Sequence, residues 1–285
     1  MTFKRPGPPA LIESGSSLRI SGQGLRRQQD ELAVEAPFEL RINGRSQVLL
    51  MAAPHGLEEL ARGHCLSEGL VSRPREVLGV TLGQAELPGL GPAYWADVEL
   101  PPEVARRCRV RRTAPAATSC GLCGLESFQE LFREVRPVVS SLTVELSVVQ
   151  GLFQHMERGQ EVFPRTGAAH AAVLGDAQGG LVSLAEDVGR HNALDKALGA
   201  ALMAGHDLSG CLVALSGRIS YEMALKAARA GLPLIASVSA ATALGRRLCA
   251  ELGVTLVAFA RQERATVLCH AQRVLMNGAP LPTGP

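Results

Sequence analysis

The spacing of apolar residues changes along this chain, and the changes mark out its elements. "PFELRING" and "RSQVLLMA" alternate apolar and polar positions on either side of Asn43-Gly44, which predicts two strands joined by a tight turn. In "HGLEELARGHCLSEGL" the period lengthens. Leu57, Leu60, Ala61 and Cys65 fall on one face of a helix that ends near Gly69. Alternating segments then continue to about residue 110.

The second half is more regular. "AAHAAVL" and "LVSLAE" flank "GDAQGG" and predict a hairpin, and "HNALDKALGAALM" sets Ala193, Leu194, Ala197, Leu198, Ala201 and Leu202 on one helical face. Strand "CLVALS" (211–216) precedes helix "SYEMALKAARAG", and strand "PLIASV" (233–238) precedes helix "TALGRRLCAELG". "VTLVAF" (254–259) is a third strand. Both helices open near Ser or Thr and stop at a glycine, Gly231 and Gly253. Apolar strands alternating with helices imply a largely parallel, buried sheet.

The expected organisation is α/β with two structural parts. Residues 1–30, rich in Gly, Pro, Ser and Arg, read as a flexible extension. Residues 31–112 form a smaller α/β part, 113–160 a thiol loop and connecting helix, 161–276 the larger α/β domain, and 277–285 a tail. Only 4% of residues are aromatic, so Leu, Val and Ala must fill the core.

A net charge of +2 argues against a protein that coats nucleic acid. No run of about 18 apolar residues occurs, and the first residues lack a signal-peptide stretch. The expectation is a soluble cytoplasmic protein with neither nucleic acid nor membrane as partner. Of the seven cysteines, Cys65, Cys211 and Cys249 sit singly in apolar segments and read as small buried hydrophobes.

In an open parallel sheet, ligands bind beyond the carboxyl ends of the strands. Four loops should meet there: "EDVGRH" (186–191), "SGRIS" (216–220), "SVSAAT" (237–242) and "FARQER" (259–264). They supply hydroxyls, helix N-termini and Arg190, Arg218, Arg261 and Arg264, a chemistry suited to phosphate. Neither GxGxxG nor GxxxxGK[ST] is present. His170, His191, Asp187 and Asp195 fit structural roles, the histidines with contact to a bound phosphate or ring edge as the alternative.

"TSCGLCG" (118–124) places Cys120 and Cys123 three apart, just after five arginines within residues 106–112. Three readings stay open on these residues alone. Zinc needs further ligands beyond Cys108, and a thioredoxin-like dithiol needs a strand before the motif. A sulfur-carrying nucleophile fits the nearby positive charge, which favours thiolate, and the slim glycines around it. "LESFQELF" then predicts a helix behind the loop.

Together, "TSCGLCG", "EDVGRHNALDK", "SGRISYEM", "FARQER" and "MAAPHGLEELARGHCLSEGL" resemble the FdhD family of formate dehydrogenase accessory sulfurtransferases. The resemblance runs from about Val34 to Arg273. It implies a small α/β N-terminal part and a three-layer α/β/α domain related to cytidine deaminases, in a homodimer. The deaminase zinc signature is missing here.

The resemblance further implies that Cys120 accepts persulfide sulfur from a cysteine desulfurase, with Cys123 assisting. The sulfur then passes to the molybdenum of a bis(molybdopterin guanine dinucleotide) cofactor destined for formate dehydrogenase. Phe259, Ala260, Arg261, Gln262, Glu263 and Arg264 match the segment that contacts that cofactor, with GDP as its mimic. A cofactor-binding chaperone without sulfur transfer and a dithiol oxidoreductase are the alternatives. Three departures from the family pattern are "TGAAH" before His170, "SAAT" in the third edge loop, and the absence near "ATVLCH" of a tyrosine usual in the family.

Overall fold

The computed structural model describes residues 9–110, 135–261 and 264–282. The first elements are β1 (Ile12–Ser21), β2 (Gly24–Ala33), β3 (Ala36–Ile42), β4 (Arg45–Ala52), α1 (Leu57–Ser67), β5 (Gly79–Leu87), β6 (Gly91–Glu99) and α2 (Pro102–Val110). The rest of the chain gives β7 (Val144–Glu145), α3 (Leu146–Gly159), α4 (Phe163–Thr166), β8 (His170–Asp176), β9 (Leu181–Asp187), α5 (Arg190–Met203) and β10 (Cys211–Leu215). It closes with α6 (Tyr221–Arg229), β11 (Leu234–Ser237), α7 (Ala243–Glu251), β12 (Thr255–Arg261), β13 (Arg264–Cys269), β14 (Val274–Met276) and β15 (Ala279–Pro280).

The expected flexible extension to residue 30 is corrected by the structure. Residues 12–33 form an antiparallel ribbon in register from Ile12↔Ala33 to Ser21↔Gly24. Its Ser- and Arg-rich composition hides a period of two, since backbone pairing supplies the ladder while most side chains stay in water. Gly24, at φ 113, makes the turn that a side chain would strain.

The strands β4-β3-β6-β5 form one sheet and β13-β12-β11-β10-β8-β9 another. Parallel pairing in the larger sheet is confined to β10, β11 and β12. Antiparallel partners flank them, so the sheet is mixed. The β8–β9 hairpin breaks the parallel run because its four-residue connection is too short for a crossover.

Alternate residues along β3, namely Phe38, Leu40 and Ile42, turn inward against α1. Beyond α1 come α5–α7 and then the large sheet, whose other face carries α3. One apolar core therefore runs without a break from Phe38 to Leu256.

Two glycines let α1 and α5 cross closely. A Cβ on Gly63 would lie 1.8 Å from the Asp195 carbonyl oxygen, and one on Gly199 would lie 1.9 Å from that of Glu59. Squeezed between α1 and the sheet, α5 is buried on nearly every side, and the single apolar face expected from the sequence understates it.

The polar residues this buries are paired. Lys226 Nζ donates to Asp195 Oδ2 at 2.8 Å and lies 2.7 Å from Glu68 Oε1, while Ser67 Oγ donates to Asp195 Oδ1 at 2.6 Å. Burial opposes ionisation at both ends of the pair. The attraction outweighs it, holding Asp195 below and Lys226 above their ordinary ranges.

Cys65, Cys211 and Cys249 are buried as expected, and burial raises each thiol pKa, that of Cys211 to about 11. Cys108 is also a core residue, bonded to the Leu70 and Val104 carbonyls.

Candidate functional site: a row of loops at one sheet edge

Pairing across the large sheet lines up the four loops. Asp187 lies opposite His170, Ala172 opposite Leu215, and Leu215 opposite Ser237, so the C-terminal ends of β9, β10 and β11 reach the same edge as the start of β8. Backbone and hydroxyl bonds then stitch the loops together. Ser237 Oγ donates to the Gly217 carbonyl at 2.7 Å, Phe259 N to that of Ser239 at 3.0 Å, and Arg261 Nε to that of Val238 at 3.0 Å.

Beside this row lies a cleft of about 530 Å³. Phe153 and Met156 of α3 and Phe163 of α4 supply apolar lining, and His170, Ser216 and Arg261 line it from the strand ends. The four-residue α4 is too short to hold itself in place. Glu186, buried at the end of β9, accepts the N–H groups of Glu161 at 2.6 Å, Val162 at 2.8 Å and Phe163 at 3.0 Å. A buried carboxylate thus fixes that wall, satisfying donors that a short helix leaves open.

Most polar residues of "EDVGRHNALDK" are structural. Asp187 accepts from Gly189 N at 2.9 Å and from Ala53 N at 3.0 Å, and it pairs with Lys196 at 2.6 Å. Lys196 also donates to the Ala53 carbonyl, and Asn192 to that of Met51. His191 Nε2 lies 2.7 Å from Glu222 Oε2, joining the first turns of α5 and α6. Asp187 holds the turn before α5 and does not cap it, since the N-cap is Gly189 with no side-chain bond, whereas Asp195 pairs from the helix face as expected.

Phe259 is half exposed with a left-handed φ of 53, within a bulge between Ala258 and Arg261 in the β12–β13 pairing. Ala260 points the other way, into the core beneath α3, so only its backbone can meet a ligand. Arg261 and Arg264 pair across the strand ends and are exposed. Cys120, Cys123, Gln262, Glu263 and the helix expected over "LESFQELF" lie outside the described residues.

The α3 and α4 side of the cleft escaped sequence reading. Its one local signal is Pro164 at the start of "FPRT", a residue favoured in a first helical turn.

This architecture can be set beside known proteins. Residues 33–275 match the sequence profile of the FdhD/NarQ family. The chain belongs to that family. Among family relatives, the sulfur carrier protein FdhD of Bordetella petrii is 38% identical over 263 residues, covering 91% of this chain and 93% of the relative. Its counterpart in Cupriavidus necator is 40% identical over 246 residues, 86% of this chain and 84% of the relative. The crystal structure of a formate dehydrogenase accessory protein from Desulfotalea psychrophila superposes with a TM-score of 0.74. It is 25% identical and covers 93% of this chain and all of that one. The FdhD/NarQ fold therefore holds for nearly the whole chain.

Proposed function

We propose that this chain is a sulfur carrier for formate dehydrogenase, with Cys120 as the carrying thiol. The Cys120 thiolate attacks the terminal sulfur of a persulfide on a cysteine desulfurase. A new S–S bond forms, the donor leaves as thiolate, and no external oxidant or reductant is consumed. The Cys120 S–S bond then breaks, Cys120 leaves as thiolate, and the outer sulfur passes to a bis(molybdopterin guanine dinucleotide) molybdenum cofactor, the substrate held at the sheet edge, whose reduced metal would supply the two electrons that make it sulfide. Phe259, the backbone of Ala260, Arg261, Gln262, Glu263 and Arg264 are its proposed contacts, within a cytoplasmic homodimer.

The observation that carries this reading is the continuous edge in a member of this family. Its four loops reach one edge, three of them are bonded into a row, and Arg261 is pinned at Nε with its guanidinium exposed beside an apolar cleft. A bidentate cation next to an apolar wall suits a phosphate joined to a ring system.

In cells, Cys120→Ala should abolish formate dehydrogenase activity with the carrier still present at normal abundance. Retained activity overturns the relay. Purified protein incubated with a cysteine desulfurase and cysteine should gain the mass of about one sulfur atom, lost on reduction and absent in Cys120→Ala. Arg261→Ala should weaken GDP binding roughly tenfold or more, the effect of losing a hydrogen bond to a charged group. Unchanged affinity removes the edge from the site.

A further inference from the structure

The two ring nitrogens of His170 meet different surroundings. Nδ1 lies 3.2 Å from Ser216 Oγ, and that oxygen already accepts the Ala171 N–H at 2.9 Å. The Ser216 N–H goes in turn to the Ala171 carbonyl, so the serine is fixed from two directions. A hydroxyl has one hydrogen to give. Given to His170 Nδ1, that hydrogen leaves the remaining ring hydrogen on Nε2, which has no partner among the described residues, and the ring lines the cleft.

The surroundings also fix the charge of the ring. Burial lowers the His170 pKa most, Arg190 and His191 lower it further, and Asp187 offsets them in part. These surroundings favour the neutral imidazole, in which a ring accepting from Ser216 at Nδ1 donates from Nε2. Space behind it is tight. A Cβ on Gly217 would come within 3.2 Å of Arg190 Cδ and 3.4 Å of His170 Cε1. Arg190 Nε is buried there with no hydrogen-bond partner among the described residues. A neutral donor in a cleft that Arg261 also lines, near enough to Arg190 to be affected by its charge, is matched to an acceptor that carries negative charge.

We propose that His170 binds the cleft's ligand through Nε2–H, directed at an anionic acceptor atom, with Ser216 as the positioning residue that fixes the tautomer. The acceptor is a phosphate oxygen or a persulfide sulfur. The proposal rests on the reading above that this edge holds the substrate.

The test starts with imidazole ¹⁵N spectra of the whole chain, with His170 assigned by the signal lost in His170→Gln. The expected state at pH 7 is the neutral Nε2–H tautomer. It should persist in Ser216→Thr and give way to a mixture of tautomers in Ser216→Ala. A protonated ring or an Nδ1–H tautomer in the wild type overturns the proposal.

Calorimetric titration with inorganic pyrophosphate and with GDP then reads the acceptor. His170→Ala should weaken both by roughly 10- to 100-fold if phosphate is bound. His170→Gln, which keeps an acceptor for Ser216 and a donor for the cleft, should recover most of that loss. If both affinities stay unchanged and the Cys120 persulfide of His170→Ala decays several-fold faster than that of the wild type, the acceptor is sulfur. No change in either overturns the proposal. The tautomer and the pyrophosphate affinity are read without Cys120, so this test and the Cys120→Ala test fail separately.

Discussion

His55 shows what one side chain costs inside this core. It sits between β4 and α1, where burial first and the Lys196 charge second lower its pKa to about 4, with Asp187 and Glu186 offsetting in part. The unfolded chain binds the proton near pH 6.5, so unfolding takes up a proton between those values. Stability is full above about pH 6.5 and declines by up to about 3 kcal/mol as the pH falls to about 4. Urea denaturation across that window should show the decline in the wild type and a smaller one in His55→Phe. Equal slopes would mean that other groups cause it. At this scale the sequence told part of the story. Asp187 could be read as a structural residue at the start of α5 because its turn partner, Gly189, is two residues away, although it does not cap the helix. Its bond to Ala53 spans 134 residues, a separation that no local pattern encodes.

Helices α1 and α5 carry the next lesson. Their spacing made α1 legible, and strands β8 to β12 followed from apolar runs separated by capped helices. The contact between α1 and α5 was not legible. A glycine inside a helical pattern reads as a weakness until the backbone it admits is known. Gly63→Ala and Gly199→Ala each drive a methyl group into a carbonyl of the facing helix. Overpacking of this kind costs about 1–3 kcal/mol, and a backbone obstacle belongs at the upper end. Thermal denaturation should show a marked fall in Tm for each variant, whereas Gly151→Ala on α3, with nothing within 4 Å, should not lower it. The ribbon β1–β2 was missed for the opposite reason, because backbone pairing leaves little trace in a polar composition.

For the molecule as a whole, the expected parts 31–112 and 161–276 share one apolar core and are tied through Asp187, Lys196, Asp195 and Lys226. They should unfold together. Trp95, the single tryptophan, lies in the four-stranded sheet beneath Arg41, so its fluorescence reports that part alone. Far-UV circular dichroism follows both parts. The two urea transitions should coincide, and separate midpoints would show independent domains. The meeting of loops at the large sheet's edge was legible because parallel strands send their loops to one side, while α4 was not, since its anchor Glu186 is remote in sequence from the helix it holds. The ribbon is the exception to this unity. Residues 18–27 are all exposed, and ten residues per strand carry the turn roughly 30 Å along its length. An affinity peptide or fluorophore inserted between Gly22 and Gln23 would ride on a stalk, leaving the shared interior to fold as it does without the cargo.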